Sequence, residues 1–194
     1  MDYYTTYKTV LLGQSSVGKS SVADRFVNGN FKEFSSSTIG AAFLVKKLEI
    51  NSQKIRLEVW DTAGQLRYRS LAPLYYRNAH IALIVYDITD SNSYEAAKNW
   101  VNELEHSCDQ PLIIAIVGNK VDLDSERKVL TKGVQDYCNE NNFIFMEVSA
   151  KTSQNIDLLF ETISISALKR INSKFRNLDR VFPEVKNNTT NSCC

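Results

Sequence analysis

Proline is scarce, at 3 of 194 residues, and glycine contributes only 7, so the chain is neither collagen-like nor a low-complexity linker. Four cysteines are too few for a disulfide framework at this length. Two of them, Cys193 and Cys194, close the chain, where no fold can use them as a staple; Cys108 and Cys138 read as semi-buried residues of a reducing compartment. An excess of one charge is also missing. Lys and Arg number 23 against 22 Asp and Glu, a net charge of +1, so no nucleic acid is expected as a partner held by bulk electrostatics. The opening MDYYTTYKTV has no basic stretch followed by an apolar run, and no secretory leader is expected. The Asn-x-Thr/Ser sequons at Asn187 and Asn188 then count as accidents of a polar tail. The longest apolar runs, IALIVY and LIIAIV, are too short to span a bilayer and read as buried strands.

What remains is a soluble-type composition, 43% hydrophobic, with enough length for one core and a modest appendage. Strand-like runs alternate with helical patterns as far as Ile171. YKTVLL reads as a strand and GKSSVADRFVNG as a helix with Val22 and Phe26 on one face, stopped by Asn28-Gly29. AFLVKKLEI and KIRLEVW, separated by NSQ, form a hairpin-like pair. HIALIVYDIT, LIIAIVGNK and FIFMEVSAK are nearly continuous apolar strands, as expected where helices cover both faces of a parallel sheet. Between and after them, Tyr94, Ala97, Val101 and Leu104 keep helical register, KGVQDYCNE reads as another helix, and Ile156, Phe160, Ile163 and Ala167 form a third stripe. The pattern predicts an α/β domain over residues 1–171, with ligands bound by loops at the carboxyl ends of strands. Residues 172–194 show no sustained period and read as a flexible tail.

GQSSVGKS, Gly13 to Ser20, fits G-x-x-x-x-G-K-[ST] and lies between a strand and a helix. Gly13 and Gly18 permit close backbone approach; the N–H groups of Ser15, Ser16 and Val17, and the helix start at Ser21, then face phosphate oxygens. Lys19 supplies a cation to the β/γ-phosphates and the Ser20 hydroxyl a ligand for Mg2+. This motif alone does not separate a nucleotide kinase, an ATPase and a GTPase.

GNKVD at Gly118–Asp122 follows a buried strand. The Asp122 carboxylate offers two acceptors, which match the N1–H and 2-amine of guanine, and the Lys120 stem can lie along a purine face. Taken alone, the same residues are equally a turn with a solvated charge pair. WDTAGQ ends another strand: Asp61 is placed to hold Mg2+ through water, Gly64 to offer its N–H to a γ-phosphate, and Gln65 to orient an attacking water. Its bland alternative is a polar turn.

Together with STIG around Thr38 and SAK at Ser149–Lys151, these motifs resemble the Ras-like small GTPases in order and spacing across residues 7–171. TIGAAF, WDTAGQ, LYYRNA, VYDIT and the Cys-Cys ending resemble the Rab GTPases, and STIGAAF with SLAPLYYR the early-endosomal branch. The resemblance implies a P-loop NTPase G domain: a mostly parallel sheet with one antiparallel strand and helices on both faces. It implies GTP and GDP with Mg2+ as ligands, Thr38 and Ser20 on the metal, Phe31 against the guanine edge, and Asn119, Lys120 and Asp122 reading the base. Ser149, Ala150 and Lys151 would support that pocket, and Gln65 would be the catalytic residue. Implied partners are an exchange factor, a GTPase-activating protein, effectors and prenyl-binding chaperones, the chain itself being a monomer.

Three positions, in two places, depart from that pattern. Ser15 and Ser16 stand where Ras proteins carry glycines, with no loss of hydrolysis expected. Leu66 stands where the pattern runs Glu; leucine removes the charge credited with assisting nucleotide exchange, and the consequence for assisted exchange stays open. FKEFSSST contains no arginine to act in cis, so slow turnover without an activating protein is expected.

Strand parity puts Ile55, Leu57 and Val59 on one face of KIRLEVW and Trp60 with Lys54, Arg56 and Glu58 on the other. Phe43 likewise falls beside Lys47 and Glu49, and exposed aromatics on a charged face suggest a binding patch. The resemblance makes Phe43, Trp60 and Tyr75 an effector-reading cluster. It also makes Cys193 and Cys194 a double geranylgeranylation signal, since two chains anchor stably where one does not. The expected location is the cytoplasmic face of endosomal or other vesicular membranes, cycling with the cytosol. The competing expectations are a GTP-binding scaffold with little hydrolysis, which Gln65 opposes, and a metabolite kinase, which GNKVD and DTAGQ oppose.

Overall fold

The computed structural model describes residues 3–33, 36–108 and 110–181, with side-chain placement described as far as 170. Six strands form one sheet: β1 (Thr5–Leu12), β2 (Ala41–Ile50), β3 (Gln53–Thr62), β4 (Ile81–Asp87), β5 (Ile113–Asn119) and β6 (Ile144–Glu147). Their order is β2-β3-β1-β4-β5-β6; β2 runs antiparallel to β3 and all other pairs are parallel. Among the described residues five α-helices accompany them: α1 (Lys19–Asn28), α2 (Ala72–Tyr76), α3 (Ser91–Ser107), α4 (Thr131–Asn141) and α5 (Ile156–Val181). The mostly parallel sheet with one antiparallel strand is the expected fold.

Alternation along the strands builds two cores. Tyr7 and Leu11 of β1, Ile55, Leu57 and Val59 of β3, and Leu83 and Val85 of β4 pack with Val22 and Phe26 of α1 and Phe160 and Ile163 of α5. The even positions, Val10, Leu12, Ile84 and Tyr86, pack with Ala97, Val101 and Leu104 of α3 and with Val134 and Cys138 of α4. Both faces of the central strands are therefore buried, which is why their sequences read as unbroken apolar runs. Phe26 and Phe160 stack at 3.6 Å between ring centroids, tying α1 to α5.

The β2–β3 hairpin turns through Asn51 and Ser52, with φ of 49° and 61°, the positive pair that a tight hairpin turn requires. Its other end closes with the Ala63 amide donating to the Gly40 carbonyl at 2.8 Å. β1 is flanked by β3 on one side and β4 on the other, so the strand order reverses at its carboxyl end and opens a crevice there. Helix α5 runs on through Val181, so the sequence-based limit at 171 falls inside it. SKFRNLDRV contains no glycine or proline, and Ile171, Phe175, Leu178 and Val181 keep a helical spacing through it. Residues 182–194, with Cys193 and Cys194, lie outside the described residues. No helix among the described residues is long and apolar enough to cross a membrane.

Candidate functional site

A cavity of about 540 Å3 opens at the carboxyl ends of β1, β3, β5 and β6. Its floor is the loop from Gly13 to Gly18. Gly18 caps α1 in the left-handed region, at φ 93°, and a Cβ there would run into the Asn119 amide. A Cβ on Gly13 would overlap the Val85 carbonyl, so both glycines are dictated by close approach. Lys19 is buried, and its Nζ donates to the carbonyls of Gly13 at 2.9 Å and Gln14 at 2.8 Å. Burial lowers its pKa to about 8, with Asp61 pulling the other way.

Beside that ammonium three oxygen-bearing side chains meet. Ser20 Oγ and Thr38 Oγ1 share a hydrogen bond of 2.8 Å, and the Thr38 hydroxyl donates to Asp61 Oδ2 at 3.5 Å. Asp61 is 3% exposed and its Oδ1 has no hydrogen-bond partner. Burial raises its pKa, opposed by Ser20, Lys19 and Thr38. Two hydroxyls and a buried carboxylate with an orphaned oxygen are hard donors of the kind magnesium takes, and the set fits that ion. Gly64 and Gln65 line the same end of the cavity; Gln65 Oε1 accepts from Arg67 Nε at 2.8 Å.

At the opposite end Asp122 is fixed by the Ser149 hydroxyl, which donates to Oδ1 at 2.5 Å. Lys120, itself at φ 71°, pairs with Asp87 Oδ2 at 2.6 Å. Burial raises the Asp87 pKa, but hydrogen bonds from Lys120 and Thr89 outweigh it and hold the carboxyl below its usual value. Asn119 is buried: its Nδ2 donates to the Val17 carbonyl at 2.9 Å and its Oδ1 accepts from the Ala150 amide at 3.1 Å. Asn119 therefore laces the phosphate loop to the Ser149–Lys151 loop. Phe31, Ala150 and Lys151 line this end.

The cavity thus gathers Ser15, Ser16, Gly18, Lys19, Ser20, Ser21, Phe31, Thr38, Gly64, Gln65, Asn119, Lys120, Asp122, Ala150 and Lys151. Gly13, Val17, Asp61 and Ser149 stand behind its lining, and each touches a residue that lines it.

The Ras family model matches residues 8–169. Over 158 residues the chain is 51% identical to the Ras-related protein Rab-5A of Dictyostelium discoideum, a match covering 81% of this chain and 79% of that relative. The chain belongs to the Rab small GTPases. Membership carries GTP and GDP binding and GTP hydrolysis, and the likeness to Rab-5A supports the early-endosomal branch and a switch in endosomal vesicle traffic. Exchange factors, activating proteins and effectors are the partner classes of such a Rab.

Phe43 and Trp60 on this Rab's charged sheet face do cluster with Tyr75 of α2. Phe43 and Trp60 are register partners with ring centroids 5.0 Å apart, and Trp60 lies 5.9 Å from Tyr75. Phe43 remains 48% exposed, so the cluster reaches the surface. Residue-by-residue reading of the sequence missed Arg25. Its guanidinium donates to the Ala150 and Lys151 carbonyls at 2.8 and 3.0 Å, and to the Gly29 carbonyl at 2.6 Å. An arginine on a helix amid polar neighbours carries no local signal that it grips a loop 125 positions away.

Proposed function

We propose that this Rab holds its nucleotide with Mg2+ at the Ser20–Thr38–Asp61 end of the cavity and guanine at the Asp122 end. The observation that carries this is the meeting of Ser20, Thr38 and Asp61, from three separate segments, beside Lys19. Ser20 and Thr38 would be direct ligands and Asp61 would act through water. The chemistry that bound magnesium supplies is neutralisation of charge on the phosphate oxygens.

The chain's own residues do the rest. Lys19 gives up its two carbonyl partners for β- and γ-phosphate oxygens, and the Gly64 N–H faces the γ-phosphate. Gln65, released from Arg67, orients water for attack on the γ-phosphorus; the bond from that phosphorus to the bridging oxygen breaks, GDP departs, and the water's proton leaves with the phosphate product. Among the described residues the cavity lining holds lysines but no arginine, so turnover is slow until an activating protein supplies one, worth roughly 10³–10⁵ in rate. Thr38 would reach the metal only while a γ-phosphate is present, and its release from the metal would loosen the loop before β2.

Phe43, Trp60 and Tyr75 would then be read by effectors, and Leu66, 82% exposed, places an apolar side chain where exchange factors approach. Cys193 and Cys194 would carry two geranylgeranyl chains, shielded by prenyl-binding chaperones in the cytosol. The monomer would cycle between cytosol and the cytoplasmic face of endosomal membranes.

Excess chelator is expected to speed release of a fluorescent GDP analogue at least ~10-fold, since the metal contributes several kcal/mol of charge stabilisation. Ser20→Ala should release at that faster rate with magnesium present. Release rates indifferent to both changes would remove the metal from this site.

A further inference from the structure

Asp122 lies in a six-residue 3₁₀ segment, Val121–Glu126, which buries none of its side chains and is kinked at Leu123. Val121 packs against the core beneath α3 and α4, but Asp122 itself is exposed, so polar ties set where its carboxylate stands. One is the Ser149 hydroxyl on Asp122, and another is the Val121 amide donating to the Val148 carbonyl at 3.2 Å. The third leaves from the far end of the segment. Arg127 Nε donates to Asp124 Oδ1 at 2.7 Å, while Nη1 and Nη2 grip the two Glu147 oxygens at 2.6 and 3.0 Å. Nη1 also reaches the Val129 carbonyl at 3.2 Å.

Glu147 ends β6, two residues before Ser149, and is held in turn by the Thr131 hydroxyl at 3.0 Å. Both side chains of the fork are mostly buried, at 17% and 18% exposed, where a bidentate pair is shielded from water. Those bonds raise the Arg127 pKa, so the guanidinium stays charged across the physiological range. Glu147 also lies against Gly118, at the end of β5, where a Cβ would stand 3.2 Å from its Cγ.

We propose that Arg127 is a positioning residue for guanine recognition: by forking onto Glu147 while holding Asp124, it locks the Asp122 segment to the β6 end that carries Ser149. Asp122 is thereby held from both sides by one strand end. The geometry is specific to arginine, because a lysine cannot span Asp124 and both Glu147 oxygens together. The inference rests on Asp122 being the acceptor for the guanine N1–H and 2-amine.

The test compares dissociation constants for GDP and for IDP, whose base lacks the 2-amine, in the full chain. Wild type is expected to favour GDP by ~10-fold or more, the worth of one hydrogen bond to a charged acceptor. Arg127→Met should bring the IDP/GDP ratio down at least ~3-fold, because a displaced carboxylate rewards the 2-amine less. Arg127→Lys should fall between the two. Glu147→Gln, which keeps the shape and one acceptor, should also lower the ratio and serves if Arg127→Met does not fold.

Asp122→Asn is the control, since its amide faces two guanine donors with one acceptor and one donor. A parallel loss of both affinities, or no change in the ratio, while Asp122→Asn still removes the preference, would overturn the positioning role and leave guanine reading intact. A wild-type protein blind to the 2-amine, with Asp122→Asn without effect, would instead overturn the guanine reading and the inference with it.

Discussion

Gly64 leaves no room for a side chain: a Cβ there would stand 2.5 Å from Lys19 Nζ and 2.6 Å from the Gln14 carbonyl. The lysine tip can swing aside, but the backbone carbonyl cannot, so Gly64→Ala must push residues 63–65 away from the cavity. Misplacing Gln65 by about an ångström is expected to slow single-turnover hydrolysis of bound GTP at least ~10-fold. Unchanged turnover would show that this close packing has no bearing on the chemistry. Cys138 gives a pH-dependent outcome. It is fully buried, and burial raises its thiol from 9.0 to about 11. The folded state thus holds the proton more tightly than the unfolded one. Its contribution to stability is complete below pH 9 and is lost as pH rises through 11. Urea midpoints of wild type should therefore fall more steeply over that window than those of Cys138→Ala, and parallel curves would contradict the assignment. At pH 8, a thiol reagent read out by mass spectrometry should reach Cys138 only on unfolding.

Among the elements, the β2–β3 hairpin holds two non-glycine residues at positive φ, Asn51 and Ser52. Ser52→Gly relieves a left-handed cost of roughly 1–2 kcal/mol, offset in part by the greater freedom of glycine in the unfolded chain. A net gain of about 0.5–1 kcal/mol in denaturant melts is expected, and destabilisation would mean that Ser52 makes a compensating contact. The strands were legible because their alternation is physical: Ile55, Leu57 and Val59 face one core while Trp60 faces the other side. The helices followed from stripes such as Val22–Phe26 and Ile156–Phe160, which bury as read. The 3₁₀ segments Leu66–Leu71 and Val121–Glu126 bury no side chains and so leave no period to read. The end of α5 was misplaced at 171 because Ile171, Phe175, Leu178 and Val181 continue a helical spacing that their strongly polar neighbours mask, and no stop signal follows. At the site, motif letters named Asn119 as a base reader. They gave no hint that its amide joins Val17 to Ala150, because partners brought together by folding leave no spacing in the sequence.

On the scale of the whole molecule, the proposed membrane attachment depends on residues outside those described. Replacing both Cys193 and Cys194 with serine is expected to leave the protein cytosolic in fractionated cells, and replacing one to weaken attachment, because a single lipid chain binds only marginally. Persistent membrane recovery of the double variant would end the lipid reading. The folded body shows how a small chemical event can be broadcast. Thr38 stands just before β2 and Gly64 just after β3, and the bond between Ala63 and Gly40 stitches the two ends of that ribbon together. A tug on either margin is therefore felt by its twin, and the Phe43–Trp60 rung lies three residues inside the seam. Visitors to the aromatic rung would sample a single shared posture, so this molecule should present two faces to the cell, without half-way versions.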